Sequence, residues 1–170
     1  IRGVAEPAVQ NLKERLLDYF DIQALPLTSP LSATILQAAL RPAGEERVVI
    51  GALGLDENSL LILRLRRPDA AANIMPGNRS AAYRSLGVSI LHHVIIEKLL
   101  EVGEEEGMAY THSELEAWQR VTAGEYRLAF LLNPVDARGI KAIADASDKM
   151  PQKSTHFYPK APAGLAVSFL

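Results

Sequence analysis

A chain of 170 residues can bury one sizeable core or two small ones, since domains run most often to about 100–150 residues. With 48% apolar and 22% charged residues it has the composition of a folded protein, and the lack of cysteine excludes disulfides, thiolate metal sites and cysteine nucleophiles. A net charge of −2 makes bulk nucleic-acid binding an unfavourable expectation, and without an apolar run of about 20 residues or a basic-then-apolar start the chain is expected to be cytoplasmic rather than membrane-bound or secreted.

The chain starts at Ile1 and enters an amphipathic segment almost at once, which suggests a piece of a longer protein. From Glu6 to Phe20, Val9, Leu12, Leu16 and Phe20 recur at helical spacing, with Lys13, Glu14 and Asp18 turned away. Ser29-Pro30 is a helix-start signal, and the helix it opens runs to about Leu40. Arg47 to Leu53 and Leu60 to Arg66 are short apolar runs separated by the polar cluster Asp56-Glu57-Asn58-Ser59, which predicts an antiparallel hairpin.

Pro68, Pro76 and Gly77 mark residues Pro68 to Asn78 as a connection and as the expected subdomain boundary. The stretch Leu86 to Leu100 is apolar on more than half its circumference and predicts a buried central helix at about 88–100. A strand is expected at Met108 to Tyr110. A helix from Ser113 to Thr122 follows, with Ser113 and Glu116 in capping-box register and Gly124 at its end. Tyr126 to Leu132 reads as a strand covered on both faces, Asp136 to Ala146 as a helix and Leu165 to Leu170 as a closing strand.

The elements together predict an α+β fold, a mixed or antiparallel sheet with helices packed on it. A helix–helix–hairpin subdomain is expected at residues 1–67 and an α/β subdomain at 79–170, the latter with a closing basic loop at 149–160.

The most distinctive text stands at the end: Met150-Pro151-Gln152-Lys153-Ser154-Thr155, Phe157-Tyr158-Pro159-Lys160 and Gly164-Leu165. Together with Ser89-Ile90-Leu91-His92-His93, Ile96-Glu97-Lys98-Leu99-Leu100 and Phe130-Leu131-Leu132-Asn133-Pro134, it resembles the C-terminal half of the prokaryotic family catalogued as domain of unknown function ten-fifteen. The resemblance implies an N-terminal half similar to ParB-like partition proteins and free serine kinases, with an Asp-Gly-His-His-Arg motif at its active centre. That motif is absent here, since His92-His93 is followed by Val94, so the chain is not expected to be a complete enzyme by itself. Two departures from the family pattern are Gly87, where a helix-capping aspartate is usual, and His156, where an aromatic residue is usual.

Between Lys149 and Lys160 lie three lysines and His156, and no acidic residue occurs from Lys149 to the end. Lys153, with the Ser154 and Thr155 hydroxyls and Lys160, could hold a phosphate or nucleotide, the lysine as a point charge and the hydroxyls as directional donors. The competing reading is a closing loop pinned by Pro151 and Pro159 with solvated lysines. Glycines are missing where a Walker loop needs them, and Gly51 and Gly54 form no dinucleotide fingerprint.

His93 and Glu97, four apart, would share a helix face. They are read as a paired histidine and carboxylate with no metal, because zinc normally takes three or four protein ligands and His112 and His156 would join only by coincidence of folding. The acidic run Glu101, Glu104, Glu105, Glu106, Glu114 and Glu116 reads as solvated, and Leu115, Trp118 and Val121 as the core face of their helix.

Two functions follow as expectations. In the first, the chain completes a phosphotransferase-like site with a nucleotide as cofactor and the N-terminal half of the same protein as partner. In the second it is a non-enzymatic packing or dimerisation module of a ParB-like regulatory protein, paired with another copy of itself.

Overall fold

The computed structural model describes residues 1–27, 33–41, 48–103 and 107–154. Four strands form one antiparallel sheet in the order β1-β3-β2-β4: β1 (Phe20–Pro26), β2 (Val49–Leu53), β3 (Ser59–Leu65) and β4 (Ala129–Leu132). The fold is α+β. The predicted hairpin forms with Ile50 opposite Leu63 and Ala52 opposite Leu61, the short polar turn leaving no room for a parallel crossover.

Alternation along the strands sends one set of side chains to each face of the sheet. Phe20, Ile50, Ala52, Leu61 and Leu63 point to the first face. There they meet Val9, Leu12 and Leu16 of helix α1 (Glu6–Leu16) and Ile90, Val94, Ile95 and Leu99 of the central helix. Val49, Leu53, Leu60, Ile62 and Leu131 point to the second face, against Leu40 of α2 (Ala33–Leu40) and Ala117 and Trp118 of α6 (Glu114–Thr122). Burial on both faces explains why β2 reads as a continuous apolar run. Gly51 belongs there because a Cβ would come 3.2–3.3 Å from Leu40, Leu60 and Leu131 side chains.

Several expectations are corrected. The first helix ends at Leu16, and Phe20 opens β1, which pairs with β3 from Phe20–Leu65 to Pro26–Ser59. The buried positions Leu16 and Phe20 fit a helical repeat equally well, so periodicity could not show the break. Residues Met108 to Tyr110 form no strand. β4 is shorter than expected and lies at the sheet edge, yet both its faces are covered, Phe130 and Leu132 packing partly buried on the first and Leu131 buried on the second. Leu115 is exposed, and Ala117 takes the buried position on α6.

Within the expected connection, Pro68–Ala72 forms a short helix, α3. β4 pairs with β2, so residues on either side of the expected boundary share one sheet and one core. The closing strand expected at Leu165 to Leu170 lies outside the described residues, as do Ser29-Pro30 and the start of the Arg47 run.

The central helix is assembled from α5 (Gly87–Ile90) and a π-helix over Leu91–Leu99, and the extended Leu86 separates it from the short α4 (Ala81–Arg84) before it. Its C-terminal end is closed by α1: Arg15 donates from its guanidinium to the Leu99 carbonyl at 2.7 Å and the Lys98 carbonyl at 2.8 Å, satisfying acceptors that a helix end leaves open. Ser113 caps α6 by accepting from the Glu116 backbone N–H, but the expected return bond is replaced, since Thr111 Oγ1 accepts from Ser113 N and Glu116 turns to Thr111 and Arg120. Asp136 caps the last helix, α7 (Ala137–Asp145), through the Gly139 N–H at 2.7 Å.

No helix among the described residues is long and apolar enough to cross a membrane.

Candidate functional site

An α-helix turns about 100° per residue, so residues four apart lie near one another while residues five apart diverge by about 140°. A π-helix closes its backbone rings at i→i+5, which brings residue i+5 nearer to the side of residue i than an α-helix does. Leu100 N donates to Ile95 O at 2.9 Å in this pattern. As a result Glu97 meets both histidines of the doublet: His93 Nδ1 lies 2.6 Å from Glu97 Oε2, and His92 Nε2 lies 3.3 Å from Glu97 Oε1. The imidazole rings stand edge to face with centroids 5.0 Å apart.

His93 is held from its other side as well. Its Nε2 is 3.1 Å from the hydroxyl of Tyr83, a buried residue of α4. The Arg79 guanidinium lies over the Tyr83 ring, 4.5 Å from its centroid, and forms an ion pair with Asp148 at 2.9 Å. Asp148 Oδ2 also accepts from the Ser80 N–H at 2.7 Å and Oδ1 from the Lys149 N–H at 2.7 Å. Hydrogen bonds from the Ser80 backbone first, and then from Lys149 and Arg79, hold the Asp148 carboxyl well below the usual carboxylate range despite its desolvation. Polar contacts thus connect Asp148, at the foot of the C-terminal segment, through Arg79 and Tyr83 to His93, Glu97 and His92.

That segment carries the residues expected to hold an anion. Lys153 has a left-handed backbone, φ 55°, and its ammonium lies 4.5 Å above the centre of the Tyr110 ring. Ser154 Oγ donates to the Pro151 carbonyl at 2.5 Å, so its proton is engaged within its own turn and the directional donation expected of it is not available in this conformation. Thr155, His156 and Lys160 lie outside the described residues. A shallow cleft of about 390 Å³ is lined by Arg2, Gly3, Glu101, Val102, Gly103 and Gly107, and Lys153 and the histidine doublet are not among its walls.

Compared with known proteins, the chain matches no family model, no curated protein and no solved structure.

His93 and Glu97 pair as expected from their spacing, while His112 is not part of their cluster. Sequence reasoning passed over His92, Tyr83, Arg79 and Asp148. Only the histidine doublet carried a usable signal. Its meaning depended on a π rather than an α repeat, and the other three residues join it through contacts of which the longest, Arg79 to Asp148, spans 69 positions of sequence. Of the acidic run, Glu101 meets Arg15 at 3.2 Å and Glu116 meets Arg120 at 2.7 Å, while Glu104 to Glu106 lie outside the described residues.

Proposed function

We propose that this chain is part of a cytoplasmic nucleotide- or phosphate-using protein of phosphotransferase type, to which it contributes an anion-contacting segment at residues 149–160 with Lys153 as the principal contact. The observation that carries this reading is the placement of Lys153 over Tyr110, a ring that is 61% exposed. Resting on a ring restricts the lysine side chain before any ligand arrives, so less of its rotamer entropy, about 1.5–2 kcal/mol in full, remains to be lost on binding. An exposed cation–π contact contributes about 0.5–1 kcal/mol and a hydrogen bond to a charged group about 1.5–3 kcal/mol, so the ring contact by itself is the weaker of the two.

Charge supports the same reading. Asp148 is the last acidic residue of the chain, and its carboxylate is already engaged by Arg79 and two backbone amides. Phosphoryl transfer depends chiefly on positioning and charge stabilisation, to which such a lysine is suited. The resemblance to the family described above places the catalytic motif in a separate N-terminal half, the partner this reading requires.

The test is calorimetric titration of ATP, GTP and inorganic phosphate into this chain and into the longer protein that the resemblance implies. In the longer protein Lys153→Ala is expected to weaken binding by about 1–3 kcal/mol with the folded state intact, and Lys153→Arg to retain most of it. Equal binding by wild type and Lys153→Ala would favour the alternative, a packing or dimerisation module.

A further inference from the structure

We propose that His92, His93 and Glu97 form a three-ligand site for a divalent transition-metal ion of the zinc type. One ligand atom from each residue lies within 4.8 Å of the other two. Zinc bonds of about 2.0–2.1 Å in tetrahedral geometry place ligand atoms about 3.3–3.4 Å apart, the separation already present between His92 Nε2 and Glu97 Oε1 at 3.3 Å. The other separations, 2.6 Å between His93 Nδ1 and Glu97 Oε2 among them, would reach that spacing by rotation of side chains that are partly open to solvent.

The objection raised by sequence spacing was that His93 and Glu97 make only two ligands, and the π-helix supplies the third by returning Glu97 to His92 as well as to His93. At 2.6 Å His93 Nδ1 and Glu97 Oε2 share a proton, and it is this proton that the ion would replace, the two atoms moving apart to the tetrahedral spacing. Tyr83 provides the outer contact that a liganding imidazole characteristically has. With the Nε2 proton given to the Tyr83 hydroxyl, the Nδ1 lone pair is left toward the ion, and the Arg79 guanidinium on the Tyr83 ring holds that phenol in place. Two imidazoles and one carboxylate suit Zn²⁺ and its first-row neighbours, whereas Mg²⁺ and Ca²⁺ favour sets built from oxygen. Exposure of the cluster gives the ion an entry path and leaves the fourth position to water or to a ligand oxygen.

This inference does not depend on Lys153 binding phosphate. Its test is titration of Zn²⁺ alone, by calorimetry, into the chain after removal of metals with a chelator. One ion per chain is expected to bind, with no comparable response to Mg²⁺. His92→Ala and Glu97→Gln are each expected to weaken binding by roughly ten-fold or more, and Tyr83→Phe by about ten-fold at unchanged stoichiometry, as for the loss of an outer-shell partner. His112→Ala and His156→Ala should leave it unchanged. Absence of zinc binding by wild type, or wild-type affinity in folded His92→Ala and Glu97→Gln, would overturn the site. Should those variants not fold, the imidazole proton resonances of the wild-type chain decide. Zinc must move those of His92 and His93 well before those of His112 and His156, and equal shifts in all four would also overturn the proposal.

Discussion

The middle of the sheet and the polar seam running from Asp148 to His92 are organised by different physics. In β2 and β3 the interior side chains are apolar on both faces, and stability there comes from area removed from water and from close packing, neither of which depends on direction. The seam is a sequence of directional contacts: an ion pair, a cation over a ring, and hydrogen bonds to both nitrogens of one imidazole. Core packing responds steeply to added volume at any tight point. The seam responds above all to the loss of a donor, an acceptor or a charge.

The same substitution at a glycine beside the sheet and at one on the helix that carries the seam's histidines gives the sharpest contrast, and its larger half falls beside the sheet. Gly54 follows β2 at φ 87°, and a Cβ there would lie 2.1 Å from the Arg127 carbonyl oxygen, which is backbone and cannot turn aside. Gly54→Ala is expected to destabilise by roughly 3–5 kcal/mol, combining left-handed strain with displacement of the segment that leads into β4. Urea unfolding measures it, and a loss below about 1 kcal/mol would show that this contact yields easily.

Next in size is Arg15, where the core helix α1 reaches across to the end of the π-helix. Arg15→Ala removes the donors to two terminal carbonyls and is expected to destabilise by about 1–2 kcal/mol, while Arg15→Lys restores only part of this because one ammonium cannot reproduce the planar fork. Full rescue by lysine would mean that charge alone, rather than aimed donation, closes that end.

Acid is the specific probe of the seam. The folded-state Asp148 carboxyl titrates below its unfolded value of about 3.9, so its stabilisation is fully present above that pH and is lost as pH falls through the folded value. Asp148→Asn should therefore be less stable than wild type at pH 7, with the gap narrowing as pH drops below about 4. A gap that stays constant in urea unfolding at pH 7, 4 and 3 would show that the Ser80, Lys149 and Arg79 contacts do not govern this carboxylate.

The smallest effect completes the glycine contrast. Gly87 occupies the first position of α5, and a Cβ there would make ordinary 3.6 Å contacts with Leu132 and Val48. Gly87→Ala is expected to stabilise by about 0.4–1 kcal/mol by restricting the unfolded chain, a gain visible as a higher urea midpoint. The two alanine substitutions should thus differ in sign.

The hairpin, the α6 cap and the buried central segment were legible because each is encoded locally: alternation with a short polar turn, a serine three residues before a glutamate, an apolar run too wide for a surface helix. The lysine-bearing segment was legible as composition, while the position of Lys153 over Tyr110 was not, because 43 residues separate the two and no pattern links them.

By itself the sequence determined the apolar runs of β2, β3 and the central helix that had to leave water, though not the fate of single residues such as Leu115, and hence the α+β class and the pairing of β2 with β3. Tertiary structure alone decided that Phe20 begins a strand, because β3 offers it a hydrogen-bonded edge that an isolated helix repeat cannot register. It also decided that His92 and His93 converge on one carboxylate. Directional groups acquire a function only when the backbone fixes their relative angles, and here the i→i+5 closure, a feature of the folded helix and not of any residue in it, turned a pair of neighbours into three potential ligands.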